Sequence, residues 1–266
     1  MSRNRRKIYG RCKLCGAENV KLSFEHVPPE STFNSQAVQL VKREDSLKCV
    51  TDPERKIWDM SGLPYTTQQR GDGDYHLCEQ CNNNTGAWYV NQYRDFIYGM
   101  ASAFSNHRVV HGDTIKIEAK DFSPLAIFKE IMVMFCDLNS GLSNDVELRN
   151  FLLNKTSTAF NSTKYRVFMF AFAGGLLRRS AASALLNIST RNILIQSEII
   201  SPPLGFVLYI DPPDNFSSQD CEITSFSSYE YEKKVSAEII LKAKGCYSVL
   251  PCDYRPQEDN HGSLEI

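Results

Sequence analysis

The chain lacks the long apolar run that a membrane helix needs: its longest apolar stretch, Phe168 to Leu177, is too short to span a bilayer and ends in Arg178-Arg179. No membrane role is expected. It also lacks a targeting segment, an internal repeat and a low-complexity tract, so a solenoid or a disordered tail protein is excluded. Residues 111–266 hold no nucleotide-binding glycine loop, no nucleophile elbow and no second metal cluster. A formal net charge of −1 gives no global sign of nucleic-acid binding. The nine cysteines are an odd number with no signal peptide ahead of them, which argues against a disulfide framework and for a cytoplasmic chain.

What the sequence does contain is ligand chemistry of two kinds. Cys12-x-x-Cys15 and Cys78-x-x-Cys81 each place two sulfurs about one turn apart, and together they supply the four thiolates of a closed zinc site. Gly16 directly follows the first pair, where a tight knuckle has to turn around the ion. A redox role lacks the strand and helix context it needs. Cys49, Cys136, Cys221, Cys246 and Cys252 are scattered and read as packing residues. Between the pairs sits Glu25-His26-Val27-Pro28-Pro29, and straight after Cys81 comes Asn82-Asn83-Asn84. Carboxylate and amide oxygens suit a hard ion such as Mg²⁺ or Mn²⁺, so the two ligand sets differ in metal preference.

The pattern around these residues predicts strand, strand, helix. Leu22 and Phe24 alternate with polar residues up to His26, and Pro28-Pro29 ends the run for want of N–H donors. Side chains at successive strand positions face opposite ways, so Glu25 and His26 can converge only if the strand terminates there. Asp74 to Leu77 can pair as a second strand. From Glu79 onward Trp88, Tyr89, Phe96, Ile97 and Met100 recur at helical intervals.

With those residues in hand, the segment from about residue 10 to 100 resembles the HNH, or ββα-metal, nuclease superfamily in its zinc-bearing form. The resemblance implies a zinc-stapled domain over residues 1–110, with Cys12, Cys15, Cys78 and Cys81 on Zn²⁺. It implies that Glu25 and Asn82 hold a catalytic divalent ion, Mg²⁺ or Mn²⁺, and that His26 is the general base toward water. Asn83 competes with Asn82 for its role. The family's middle Asn, which orients the base, has no clean counterpart here; Gln69, Asp72 and Asp74 are the alternatives. The expected activity is phosphodiester hydrolysis in DNA, and the family's range suggests bacterial or phage defence or a mobile element. The rival expectations are a noncatalytic zinc module that binds nucleic acid or protein, and a nuclease acting on RNA.

The remainder reads as an α+β domain over residues 111–266, with a partner-binding, regulatory or DNA-positioning role. Thr114 to Glu118 alternates as a strand, and Ser123-Pro124 opens an apolar helix running to Leu138, proline being suited to a first helical turn. A second helix is expected near Asp145 to Leu153. Strands are expected at Tyr165–Ala173, Ile193–Ile200, Leu204–Ile210 and Ser236–Leu241, separated by Gly174-Gly175, Pro202-Pro203 and Pro212-Pro213. Charge is uneven: the first 110 residues are net basic and the rest net acidic. Arg3, Arg5, Arg6, Lys7, Arg11 and Lys13 form a candidate phosphate-contacting arm. The charged, turn-rich stretch between His26 and Cys78 predicts either a small substructure or a substrate-reading loop.

Overall fold

A computed structural model describes residues 7–52, 54–56, 59–105, 108–187 and 192–255. Arg3, Arg5 and Arg6 of the basic arm lie outside the described residues. The fold is mixed α+β, with 28% helix and 35% strand.

In chain order, β1 (Ile8–Gly10) pairs antiparallel with β2 (Val20–His26). The expected insertion forms a substructure: β3 (Val38–Val41), α1 (Arg43–Thr51) and β4 (Tyr65–Gln68), with β3 and β4 paired. Next, β5 (Gly73–Cys78) pairs antiparallel with β2, from Leu22↔Cys78 to His26↔Gly73, and runs directly into α2 (Glu79–Thr85). Strand, strand and helix therefore follow the order the hydrophobic pattern predicts. A π turn at Gly86–Val90 joins α2 to α3 (Asn91–Phe104), so Gly86 marks a local widening of one long helix.

The second half is a sheet built around one buried helix. Its elements are β6 (Thr114–Phe122), α4 (Pro124–Leu138), α5 (Val146–Leu153), β7 (Tyr165–Gly175), β8 (Arg178–Asn187), β9 (Asn192–Ser201), β10 (Leu204–Ile210), β11 (Cys221–Glu222) and β12 (Val235–Cys246). The strand order is β6-β12-β7-β10-β9-β8, with β11 added alongside β7. β12 joins β7 in parallel; the other pairings are antiparallel.

α4 is buried along almost its whole length, as its apolar sequence on all sides requires. Period-two alternation splits β7 between two apolar layers. Val167, Met169 and Ala171 pack with α4, while Phe168 and Phe170 face Val207, Tyr209 and Tyr254 on the other side. The first of these layers is one continuous cluster, running from Leu14 and Leu77 in the hairpin through Tyr93 and Met100 to Phe128, Met132 and Leu208.

Two features depart from the sequence expectation. Gly174-Gly175 does not end β7 early; both glycines lie at its end with φ of 104° and 103°. β8 was not expected, because Arg178–Asn187 is rich in Ser and Ala, which give little strand signal. Its register is set by pairing with β9. No described helix is long and apolar enough to cross a membrane.

Candidate metal centre and adjoining depression

The four predicted zinc ligands converge. Cys12 and Cys15 come from the loop between β1 and β2, Cys78 ends β5 and Cys81 lies in the first turn of α2. Their Sγ atoms all lie within 4.8 Å of one another. Zinc bound tetrahedrally at about 2.3 Å needs S···S edges of about 3.8 Å, and Cys15 Sγ and Cys78 Sγ stand 4.0 Å apart. The donor set and its size therefore fit a zinc ion.

Local backbone geometry builds the cradle. Gly16 turns the first knuckle at φ 74° and donates its N–H to Cys12 O at 2.9 Å. Cys78 caps α2 by accepting from the Cys81 N–H, and its own N–H donates to Cys12 Sγ at 3.3 Å. Cys12 is held low, at about 4, chiefly by the hydrogen bond with the Cys81 thiol, and that same bond pushes Cys81 up. Four thiolates can coexist in so small a space only around a cation.

Beside this cluster, Glu25, His26 and Asn82 line one open depression of about 440 Å³ together with Phe24, Pro29, Glu30, Ser31 and Val90. β2 stays paired as far as His26, and its termination there lets two neighbours of opposite facing reach the same hollow. The close pairing depends on Gly73, where a Cβ would stand 2.2 Å from Glu25 O.

Asn82 is aimed by its amide nitrogen, which donates to Ser23 Oγ at 2.9 Å and to Phe24 O at 3.3 Å. That leaves the amide oxygen as its free end among the described contacts. Asn83 is exposed and does not line the depression. Glu25 is partly exposed in area, yet burial raises its pKa to about 8, with the Asp137 carboxylate adding to the effect. Among the described residues, burial and Asp137 are the two influences on it, and both raise it. A positive ion placed against Glu25 would supply the missing countercharge.

His26 is oriented by backbone. Its Nε2 lies 2.6 Å from Arg70 O. A carbonyl only accepts, so Nε2 carries the hydrogen, and in the neutral ring Nδ1 keeps the basic lone pair. None of the three side chains considered for the orienting role is recorded against the imidazole. Asp72 instead forms an ion pair with Arg179, Asp74 accepts from the Tyr75 N–H, and Gln69 is exposed.

Sequence reasoning passed over three contributors. The Arg70 carbonyl carries no sequence signal, because any residue there offers the same atom. Glu30, exposed and lining the hollows on both sides of His26, could have been suspected from its place just beyond Pro28-Pro29. Asp137 belongs to α4 and is reachable only through the fold. Its carboxylate accepts from His76 Nδ1 at 2.9 Å, and its carbonyl accepts from Lys13 Nζ at 2.7 Å, which ties the hairpin to α4.

Compared with known proteins, no family model, no curated protein and no solved structure matches this chain.

Proposed function

We propose that this chain is a metal-dependent endonuclease of the HNH type that hydrolyses phosphodiester bonds, with DNA as the substrate. One observation carries the reading: a carboxylate, an imidazole and an amide from Glu25, His26 and Asn82 share one open depression on a hairpin and helix drawn together at four clustered cysteines. A purely structural zinc module leaves Glu25, His26 and Asn82 without a shared task.

In this reading Glu25 and Asn82 would hold a divalent ion, whose chemistry there would be to offset negative charge on the phosphate and the leaving oxygen. Two protein ligands leave room for a phosphate to enter. His26 Nδ1 takes a proton from the attacking water as the new O–P bond forms and the bond to the leaving sugar oxygen breaks. The departing oxygen acquires its proton from solvent. The Arg70 carbonyl keeps the ring in the tautomer this requires. Zinc at the cysteines would take no part in the chemistry and would fix β5 and the start of α2 against the β1–β2 loop.

The test is cleavage of supercoiled plasmid, linear duplex, single-stranded DNA and RNA with Mg²⁺, with Mn²⁺ and with chelator. Metal-dependent cutting of DNA that His26→Ala abolishes supports the reading. Cutting confined to RNA moves the substrate class, and a folded, zinc-loaded protein that cuts none of these substrates overturns the reading.

A further inference from the structure

We propose that Phe33 and Tyr98 form a stacking platform for an unpaired nucleobase of the substrate strand, a few nucleotides from the bond being cut; the identity of the ligand rests on the nuclease reading above.

The first observation is a backbone outlier. Among the described residues five non-glycines have positive φ, and three of them are Asn or Asp, which tolerate that region. Phe33, at φ 68°, is a bulky exception. Its neighbours hold it there. Thr32 is buried and donates from Oγ1 to Pro29 O at 2.7 Å. Asn34 is buried too: its Nδ2 donates to Pro28 O and Asp72 O, and its Oδ1 accepts from the Asp72 N–H.

Two pinned residues thus force the ring between them outward, leaving Phe33 48% exposed. A large apolar side chain held out of the core in an unfavourable backbone conformation is destabilising on both counts, and such strain concentrates at sites of function.

The second observation is the ring's partner. Tyr98 on α3 is itself 47% exposed, and the two ring centroids lie 4.8 Å apart with planes tilted by 58°. Aromatic faces open to water are what ligand-stacking surfaces offer.

The third is continuity with the depression. Pro29, Glu30 and Ser31, of the same loop as Phe33, line it from one side, and Val90 lines it from the helix. Tyr98 comes two helical turns after Val90, about 12 Å along the axis. Arg94 stands one turn from each on that face. Its guanidinium meets Asp95 and Asn91 at the surface, where an ion pair gives way readily to a phosphate. A rise of about 12 Å corresponds to three or four stacked nucleotides at about 3.4 Å each. Bases in a duplex hide their faces, so such a platform favours a strand with an unpaired base near the cut: a single strand, a gap, a flap or a mismatch.

Binding is read with an oligonucleotide carrying the fluorescent base 2-aminopurine, with Ca²⁺ in place of Mg²⁺, against a fully paired duplex of the same length. Wild-type protein should prefer the single strand and quench the probe at one position. Tyr98→Ala and Phe33→Gly should bind it about 5- to 100-fold more weakly and lose the quench. Duplex affinity and zinc content should stay unchanged. Phe33→Gly should melt no lower than wild type, because glycine suits the positive φ; a merely structural phenylalanine would instead lower the melting temperature and spare affinity.

Unchanged affinity and quench in both variants overturn the platform, as does a wild type with no preference for unpaired bases. If the wild type cuts DNA while the variants bind as it does, the platform alone falls. If it binds and quenches but cuts nothing, the nuclease reading alone falls. Absence of any nucleic-acid binding overturns both.

Discussion

Replacing Cys78 with serine separates two jobs that one side chain performs. Cys78 is one of the four clustered thiols and also caps α2 by accepting from the Cys81 N–H. Serine is a good N-cap and a poor zinc ligand, so Cys78→Ser removes the metal and keeps the cap. Cys78→Ala loses both, and the difference between the variants should be about 1 kcal/mol.

The metal term is larger. Zinc binding in small zinc modules is worth on the order of 10 kcal/mol, comparable to the whole stability of an ordinary domain. Here the hairpin shares a buried cluster with α4, through Leu14, Leu77 and their neighbours, so that core should survive loss of the ion. The expected result is a loss of several kcal/mol, seen as a lower melting temperature and as faster hydrogen exchange in β2 and β5 than in the large sheet. Elemental analysis should find about one zinc per wild-type chain and none in either variant. A well-folded wild type that contains no zinc, or a zinc-free Cys78→Ser protein that melts at the same temperature as the zinc-loaded wild type, refutes the reasoning.

Other perturbations probe the site and its supports. His26→Ala should reduce turnover by about 10²- to 10⁴-fold while leaving zinc content and melting temperature near wild type; unfolding of the variant would make the histidine structural. Glu25→Ala and Asn82→Ala should also lose turnover, with partial recovery at high Mg²⁺ or Mn²⁺ that His26→Ala does not show; kinetics across metal concentration distinguish them. Lys129 is fully buried and donates to the carbonyls of Phe151, Asn154 and Lys155, closing the end of α5. Burial pulls its pKa down to about 7. Lys129→Met should cost about 1–3 kcal/mol by chemical denaturation, because it leaves the buried Phe151 carbonyl unpaired. For Asp145, burial pushes the pKa up, but hydrogen bonds from Lys164, the Leu148 N–H and Tyr165 outweigh it and hold the pKa at about 2. Its contribution is therefore fully present above about pH 4 and lost as pH falls toward 2. Asp145→Ala should cost about 1–2 kcal/mol at neutral pH and flatten the acid limb of the stability profile.

The parts of the fold written in local pattern were legible. Alternation marked β2 and β6, β5 and β10 were expected as strands from the segments around them, and Ser123-Pro124 with a continuous apolar run marked α4 within a residue of its ends. The four cysteines converge because their spacing and residue type already specify a tetrahedral donor set. What stayed hidden depends on tertiary partners. β8 is a strand because β9 pairs with it, its Ser and Ala residues giving no strand signal of their own. The atom that orients His26 is a main-chain oxygen, invisible to any search by residue type. The raised pKa of Glu25 comes from burial and from Asp137, a residue of α4 that only folding brings near. Asp72 lies close in sequence to the second knuckle, yet its partner is Arg179 on β8.

The grip of α4 on the hairpin bears on how this protein can be cut apart or recombined. Asp137 holds Lys13 and His76, Arg149 donates to Cys15 O, and Arg179 reaches Asp72. The hairpin whose strand β2 carries Glu25 and His26 is thus seated on a platform encoded more than a hundred residues downstream of Cys12. The hairpin and its cysteines are not a cassette that could be grafted onto another scaffold or expressed alone with its geometry intact. Drift in the chain's second half, at positions far from any reacting atom, would misalign the depression as surely as a change within it, so the two halves are constrained to vary together.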